Sequence, residues 1–182
     1  MLLHALDQLA TRQHGLLERS QIDRPDGTIA GWIAAGLLVR VHPSVYRLVG
    51  APVTREQRLL AACLAAGPGA AVSHRAAAHG WGLAEFPDVV EIVTPRPRWP
   101  RLRNVRVHRS TDLRDDHITV RHAVPTTKPL RTLVDLGAAA PWAVADALER
   151  GLTAKLFGLA AADRVLDDLG RKGRTGVGVL RL

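Results

Sequence analysis

Six arginines between residues 96 and 109 are the strongest chemical feature of the sequence. With Arg114 added and Asp112 as the one acidic residue, residues 94–114 carry a net charge of +6, and Trp99 lies within the run. Guanidinium groups contact phosphate oxygens without reading bases, and an exposed indole can stack on a base. The segment therefore predicts a surface for a nucleic-acid backbone, although an acidic protein partner or plain solvation would also suit it. The arginines are Arg96, Arg98, Arg101, Arg103, Arg106 and Arg109.

Residue types that perform catalysis are present but poorly spaced. His74 and His79 are five residues apart and point away from each other on a helix, which makes a poor pair of metal ligands. Asp88 and Glu91 resemble the first part of a magnesium-dependent nuclease motif, but Val93 occupies the position that needs lysine. We therefore predict no catalytic residues, no metal site and no cofactor, and we interpret Asp88 and Glu91 as acids at a strand edge.

A second polar group is the run Ser73, His74 and Arg75, at the predicted start of a short helix that ends near His79. Side chains of neighbouring residues on a helix point apart, so Ser73 and His74 are not expected to form a nucleophile and base pair. We interpret Ser73 as a helix cap. The sequence leaves the roles of His74 and Arg75 open.

The composition limits the class of protein that must position these residues. The 182 residues are 47% hydrophobic and 23% charged, which is typical of a soluble globular protein of one domain or two small ones. The longest uncharged apolar stretch, residues 59–72, is too short for a membrane helix. Asp7 interrupts what would be the apolar part of a signal peptide, and there is one cysteine, so we predict a cytoplasmic protein. The net charge of +8 favours a polyanionic partner.

Residues 1–50 predict three short helices followed by a β-hairpin. The first helix ends near Gly15, the second spans Leu17–Ile22, and the third begins at Asp26 and ends near Gly36. The run LLVRVHPSVYRLV then predicts two strands. This order is typical of a winged helix-turn-helix, whose third helix enters the DNA major groove. A lobe that serves only for packing is the alternative.

The outward face of the third predicted helix is poor in residues that read bases. It shows Thr28, Gly31, Ala34 and Ala35, of which only Thr28 can contact a base edge, through its methyl group. The predicted β-hairpin, which would be the wing, and the basic segment of residues 94–114 must then supply most of any contact with DNA, through phosphates. In this lobe the candidate phosphate contacts are Arg12, Arg19, Arg24, Arg40 and Arg47.

After residue 50 the patterns alternate between helices and strands. A helix is capped at Thr54, three strands are predicted at residues 89–93, 105–109 and 118–122, and helices follow. The last helix places Leu159, Ala162, Leu166 and Leu169 on one apolar face. We predict an α+β protein: a winged-helix domain at 1–50, a small mixed α+β domain with a helical C-terminal end at 51–170, and a basic tail or linker at 171–182.

Four runs occur in an order that resembles a known family: ATRQHGLLERSQI, GLLVRVHPSVYRLVG, AVSHRAAAHGWGL and VPTTKPLRTLVDL. They are similar to blocks of the AbiEi-type antitoxins and their actinobacterial relatives. The resemblance implies a winged helix that binds double-stranded DNA, and a type IV toxin/antitoxin system. The antitoxin would repress its own operon and restrain a nucleotidyltransferase-like toxin.

Two other hypotheses remain at this point. The poor reading face favours a protein-interaction module with a degenerate winged helix. The basic tail favours the N-terminal part of a protein with an endonuclease domain of the very-short-patch-repair type, because some relatives continue into such a domain after a similar stretch. The sequence leaves the operator, the toxin and the oligomeric state open.

Overall fold

The computed structural model describes the backbone of residues 2–169 and the side chains of residues 6–165 and 167–169. Within that range the chain is a mixed α+β protein with two β-sheets, which confirms the predicted α+β class. The basic tail predicted at 171–182 lies outside the described residues.

A three-stranded antiparallel sheet organises the N-terminal lobe, in the order β1-β3-β2. The helix predicted at Leu17–Ile22 is only a 3-10 turn at Arg19–Gln21, because Leu16–Glu18 form strand β1. Leu16 and Leu17 are both fully buried, and adjacent residues are buried on opposite sides in a strand, not on one helix face. The elements are α1 (Leu2–Arg12), β1 (Leu16–Glu18), a 3-10 turn (Arg19–Gln21), α2 (Asp26–Ala34), β2 (Leu38–His42) and β3 (Val45–Leu48).

Helix α2 packs on this sheet through one side only. Ile29 is buried with Leu17, Leu38 and Tyr46, and Trp32 packs against the same cluster. On the outward side, Gly31, Ala34 and Ala35 are exposed and Thr28 is half-buried. The outward side of the helix therefore presents backbone and methyl groups to solvent.

The second sheet has the strand order β6-β5-β4-β8-β7, with β5 parallel to β6 and β4 parallel to β8. The three predicted strands are confirmed to within two residues at each end, whereas the short strands β4 and β8 were not predicted. The elements are α3 (Arg55–Ala66), β4 (Ala71–Val72), α4 (His74–Gly80), β5 (Glu91–Pro95), β6 (Arg106–Ser110), β7 (Ile118–Arg121), β8 (Val124–Thr127), α5 (Pro129–Ala139), α6 (Val144–Thr153) and α7 (Leu159–Leu169).

Helix α3 joins the two sheets. Its predicted cap is confirmed, because the side chain of Thr54 accepts a hydrogen bond from the Gln57 backbone N–H. Its apolar side chains share one core with Leu16 and Val45 of the first sheet and Ile92 of the second. The boundary predicted at residue 50 therefore separates the two sheets, but the core around α3 extends across it.

The C-terminal helices form a smaller core beside the second sheet. Leu133 and Leu136 of α5 are buried there with Leu83 and Val144. In α7, Ala162 and Leu169 are buried, but Leu159, predicted on the same apolar face, is 64% exposed. No helix in the described part of the chain has the length and hydropathy needed to cross a membrane.

Two glycines allow a matched test of this packing. Gly31 lies inside α2 with open space around it, so Gly31→Ala should raise the free energy of unfolding by about 0.5 to 1 kcal/mol. Gly15 has φ +78°, and an added Cβ would overlap the Ala51 side chain, so Gly15→Ala should lower it by more than about 1 kcal/mol. Urea denaturation of both variants measures the difference, and equal effects would contradict the packing described here.

Candidate nucleic-acid interface and the buried Glu91 network

The basic segment forms an exposed border of the second sheet. It comprises the loop between β5 and β6 and the edge strand β6 itself. All six predicted arginines are exposed there. The loop is tied back to the sheet where Thr94 Oγ1 donates to the Arg98 carbonyl at 3.1 Å. The cations are thus held on a folded surface.

Some of these arginines already have partners. Arg98 Nη1 donates to the Pro68 carbonyl at 2.7 Å, and the Arg109 guanidinium lies 4.0 Å from the centroid of the Trp99 ring. Trp99 nevertheless remains 61% exposed, as stacking on a base would require. Of the six, only Arg106 forms an ion pair within the described residues. In contrast to Arg98, Arg106 and Arg109, the side chains of Arg96, Arg101 and Arg103 have no hydrogen bond, ion pair or ring contact within that part of the chain.

The hairpin of the N-terminal lobe adjoins this segment. His42 of β2 lines one cleft of about 310 Å³ together with Arg103 and Asn104, and Val41 packs on the same core as Val105. Two basic regions that are about 60 residues apart in the sequence therefore meet in the fold. Burial lowers the pKa of His42, so this side chain is neutral at pH 7 and the arginines supply the positive charge.

The other predicted DNA contacts of the N-terminal lobe differ in availability. Arg24 is exposed just before α2, and Thr28 is half-buried in its first turn. Arg40 is exposed, with its guanidinium 5.6 Å from the centroid of the Tyr46 ring. Arg47 is half-buried and Nη1 donates to the Ala51 carbonyl at 2.7 Å, so it holds the connection to α3.

The sequence interpretation placed Glu91 wrongly. It was predicted to be an acid at a strand edge, but β5 is the second strand of the sheet and the Glu91 side chain is fully buried. Arg75 surrounds the carboxylate: its backbone N–H donates at 3.0 Å, its Nε at 3.1 Å and its Nη2 at 2.8 Å. Asp88, the other predicted edge acid, is exposed and lies 3.8 Å from Arg58.

Two side chains of β6 complete this network. His108 Nε2 lies 3.4 Å and Arg106 Nη1 lies 3.5 Å from Glu91 Oε1. Burial alone would raise the pKa of Glu91, but the hydrogen bonds from His108 and Arg75 outweigh burial and lower the pKa to about 2. The carboxylate is therefore ionised at neutral pH. Arg106, predicted as a DNA contact, is shared between this carboxylate and solvent, with its side chain 60% exposed.

The Ser73–His74 pair also departs from the sequence prediction. The Ser73 side chain makes no capping hydrogen bond, and its Oγ lies 2.8 Å from His74 Nδ1. The two side chains meet because His74 has φ +50°, outside the helical geometry that would separate them. The His74 ring stacks on His108, with centroids 3.5 Å apart. Ser73 is fully buried, so the pair presents no nucleophile at the surface.

A second buried ionic group holds the far end of β6. Arg131 of α5 is buried, and its Nε donates to Asp135 Oδ1 at 3.0 Å. Its Nη1 donates to His117 Nδ1 at 2.9 Å, and its Nη2 donates to Ser110 Oγ at 3.2 Å. Since Ser110 ends β6 and Arg106 begins it, each end of the strand contacts a buried ionic group.

A sequence signal for these networks exists in β6. Arg106, His108 and Ser110 alternate, so they share one side of a strand, and three polar residues on one side require polar partners if that side is covered. Despite these histidines and carboxylates, the described residues contain no group of three or more His, Cys, Asp or Glu side chains arranged to hold a metal ion.

Comparison with known proteins finds a similar fold among solved structures. No family model matches the sequence, and no curated protein matches it. The fold resembles that of the RV2827C protein from Mycobacterium tuberculosis. The TM-score is 0.50 at 18% identity, and the match covers 91% of this chain and 65% of that one, so this chain spans about two thirds of that protein. At this identity the likeness concerns the fold alone.

The Glu91 network predicts unequal effects of removing its two arginines. Arg75→Met removes the charged donors of a fully buried carboxylate and should lower the free energy of unfolding by about 3 to 5 kcal/mol. Arg106→Met removes a longer, solvent-exposed contact and should cost less than about 1 kcal/mol. Chemical denaturation at pH 7 compares the two, and a larger loss for Arg106→Met would contradict this assignment.

His74 predicts a pH dependence of stability. Burial and the neighbouring His108 lower its pKa to about 3, whereas the unfolded chain binds this proton near pH 6.5. Acidification from pH 6.5 to 4.5 therefore favours the unfolded state, by about 2 kcal/mol from this residue. His74→Asn, which tolerates the positive φ, should be less stable at pH 7 but lose less stability over that range. Denaturation midpoints from pH 7.5 to 4.5 test this, with His42→Asn as the comparison for a half-buried histidine. An unchanged slope in His74→Asn would contradict the prediction.

Proposed function

We propose that this chain is a DNA-binding, antitoxin-like transcriptional regulator. The order helix, strand, 3-10 turn, helix and hairpin, with the strand order β1-β3-β2, supports a winged helix in residues 1–50. The resemblance of four sequence runs to the AbiEi-type antitoxins supports autoregulation of an operon and restraint of a nucleotidyltransferase-like toxin. In this proposal the chain has no catalytic residues of its own.

One observation carries the DNA-binding part of this proposal: the wing and the basic segment adjoin. His42 of the wing and Arg103 of the loop line the same cleft, so the wing borders the basic segment there. Arg40 lies on the other face of the hairpin, over the Tyr46 ring. The outward side of α2 offers few groups that read bases. We therefore infer that phosphate contacts dominate the affinity and that sequence preference comes largely from the shape of the duplex.

The salt dependence of binding tests this surface. Changing Arg96, Arg101 and Arg103 together to alanine should reduce the slope of log affinity against log salt by about 2 to 3, because each neutralised phosphate contributes about 0.9. A control variant with the same charge change, Lys128, Arg150 and Arg164 to alanine, should leave the slope unchanged, since these exposed residues lie outside the basic segment. Fluorescence anisotropy with a labelled duplex at several salt concentrations measures both. Equal slopes in the two triple variants would contradict the proposed surface.

The antitoxin part requires a separate measurement. We predict that the gene next to that of this chain encodes the toxin, so its expression from a foreign promoter should arrest growth, and the full chain should restore growth. The same triple variant of the basic segment should lose promoter repression and keep protection. Point variants are preferable to removal of residues 1–50, because that deletion would expose the side of α3 that packs on Leu16 and Val45. Failure of the full chain to protect would contradict the antitoxin proposal and leave regulation to stand on the DNA measurement.

A second candidate function is a protein-interaction module. The exposed Gly31, Ala34 and Ala35 on α2 favour it, because side chains that lack polar groups allow close protein packing and give no base readout. Duplex affinity that is weak, and equally weak in both triple variants, would favour this alternative over DNA binding.

A further inference from the structure

A large apolar pocket lies in the N-terminal lobe, apart from the basic surface. Its volume is about 780 Å³, within the range of roughly 300 to 1,000 Å³ that small-molecule sites occupy. Leu6, Leu17 and Leu38 are buried in its wall, and Leu37 and Val49, also lining it, are 56% and 47% exposed. The pocket therefore combines an apolar interior with access from solvent.

The polar groups of the described lining are few, and most are occupied. Thr11 Oγ1 donates to the Asp7 carbonyl at 2.9 Å, and His14 Nε2 lies 2.7 Å from the His122 carbonyl. Thr54 Oγ1 accepts from the Gln57 backbone N–H. This leaves the exposed carboxylate of Asp7 as the one ionised side chain of the described lining.

The charged side chain in the described lining is negative, although the chain as a whole has a net charge of +8. The described lining contains one carboxylate and no lysine or arginine, so the pocket is complementary to a cation. Trp32 also lines it, and the face of an indole attracts organic cations. A ligand with an apolar body and a positive group would place the body against the apolar interior and the positive group near the Asp7 carboxylate.

We propose that this pocket binds a lipophilic organic cation, with Asp7 as the counter-charge and Trp32 as aromatic surface. A second copy of the chain is a poorer occupant. The exposed large apolar side chains of the described lining are Leu37 and Val49, whereas a stable protein interface buries about 800 Å² on each partner.

The walls of the pocket connect this ligand to DNA binding, a step that rests on the proposed function. Trp32 and Gly36 belong to α2 and the turn after it, and Leu38 and Leu48 belong to the two strands of the wing. A bound cation contacts both elements and favours the arrangement of α2 and wing that fits it best. Ligand and DNA then change each other's affinity by the same factor.

Calorimetric titration of the full chain tests the ligand class. Tetraphenylphosphonium should bind saturably, and its neutral analogue of similar shape, triphenylphosphine oxide, should bind at least about fivefold more weakly. Asp7→Asn should weaken tetraphenylphosphonium binding by roughly threefold to fivefold, as for a partly exposed ion pair. Asp23→Asn, which removes an exposed carboxylate of the same lobe outside the pocket, should leave the affinity unchanged. Trp32→Leu should weaken binding of the cation more than that of the neutral analogue.

Three results would overturn the inference: no saturable binding of tetraphenylphosphonium, equal affinity for the neutral analogue, or equal effects of Asp7→Asn and Asp23→Asn. The DNA step has its own readout, since saturating tetraphenylphosphonium should shift the dissociation constant for a duplex in the wild-type chain and not in Asp7→Asn. Charge-selective binding in a chain without DNA affinity would refute the proposed function and support the pocket. DNA binding without any binding of tetraphenylphosphonium would support the proposed function and refute the inference about the pocket.

Discussion

An ionised carboxylate with no access to solvent must be surrounded by donors, and this requirement at Glu91 determines how the second sheet is assembled. The donors come from the first turn of α4 and from the edge strand β6, so one side chain ties together a helix and two strands. Desolvation makes the arrangement strict, because a displaced donor leaves a buried charge uncompensated. The close stacking of His74 on His108 follows from the same arrangement, since both rings lie beside this carboxylate network.

The buried charges also affect the protein surface. An edge strand has one neighbour and frays more easily than an internal strand, yet β6 contacts Glu91 near its first residue and Arg131 at its last. The outward arginines on and beside this strand are therefore presented from a rigid base. If the proposed contact with phosphates occurs, side chains held in place lose less conformational entropy on binding than side chains on a flexible segment would.

The sequence was most informative where local rules decide the structure. The alternation of residues 105–109 predicted a strand, and the Thr54 cap placed the start of α3, because both depend on near neighbours in the chain. Strand β1 was missed because it has only three residues, and two of them, Leu16 and Leu17, are adjacent hydrophobic residues. The alternation of polar and apolar residues that predicts a strand is therefore not visible there. Burial of Glu91 was missed because its donors, Arg75 and His108, are 16 and 17 residues away and meet it only in the folded sheet. The contact between Ser73 and His74 depends on one left-handed backbone conformation that the residue types do not announce.

The core shared through α3 has a mechanical consequence. Leu16 and Val45 pack with the helix that also supports the second sheet, and Gln57 Nε2 donates to the His14 carbonyl at 2.7 Å across the junction. Because this core crosses residue 50, the hairpin formed by β2 and β3 and the basic segment are attached to one packed body. Under the proposed DNA-binding function, a duplex that contacts both must supply the bending or groove adjustment itself, so its stiffness enters directly into the strength of the complex.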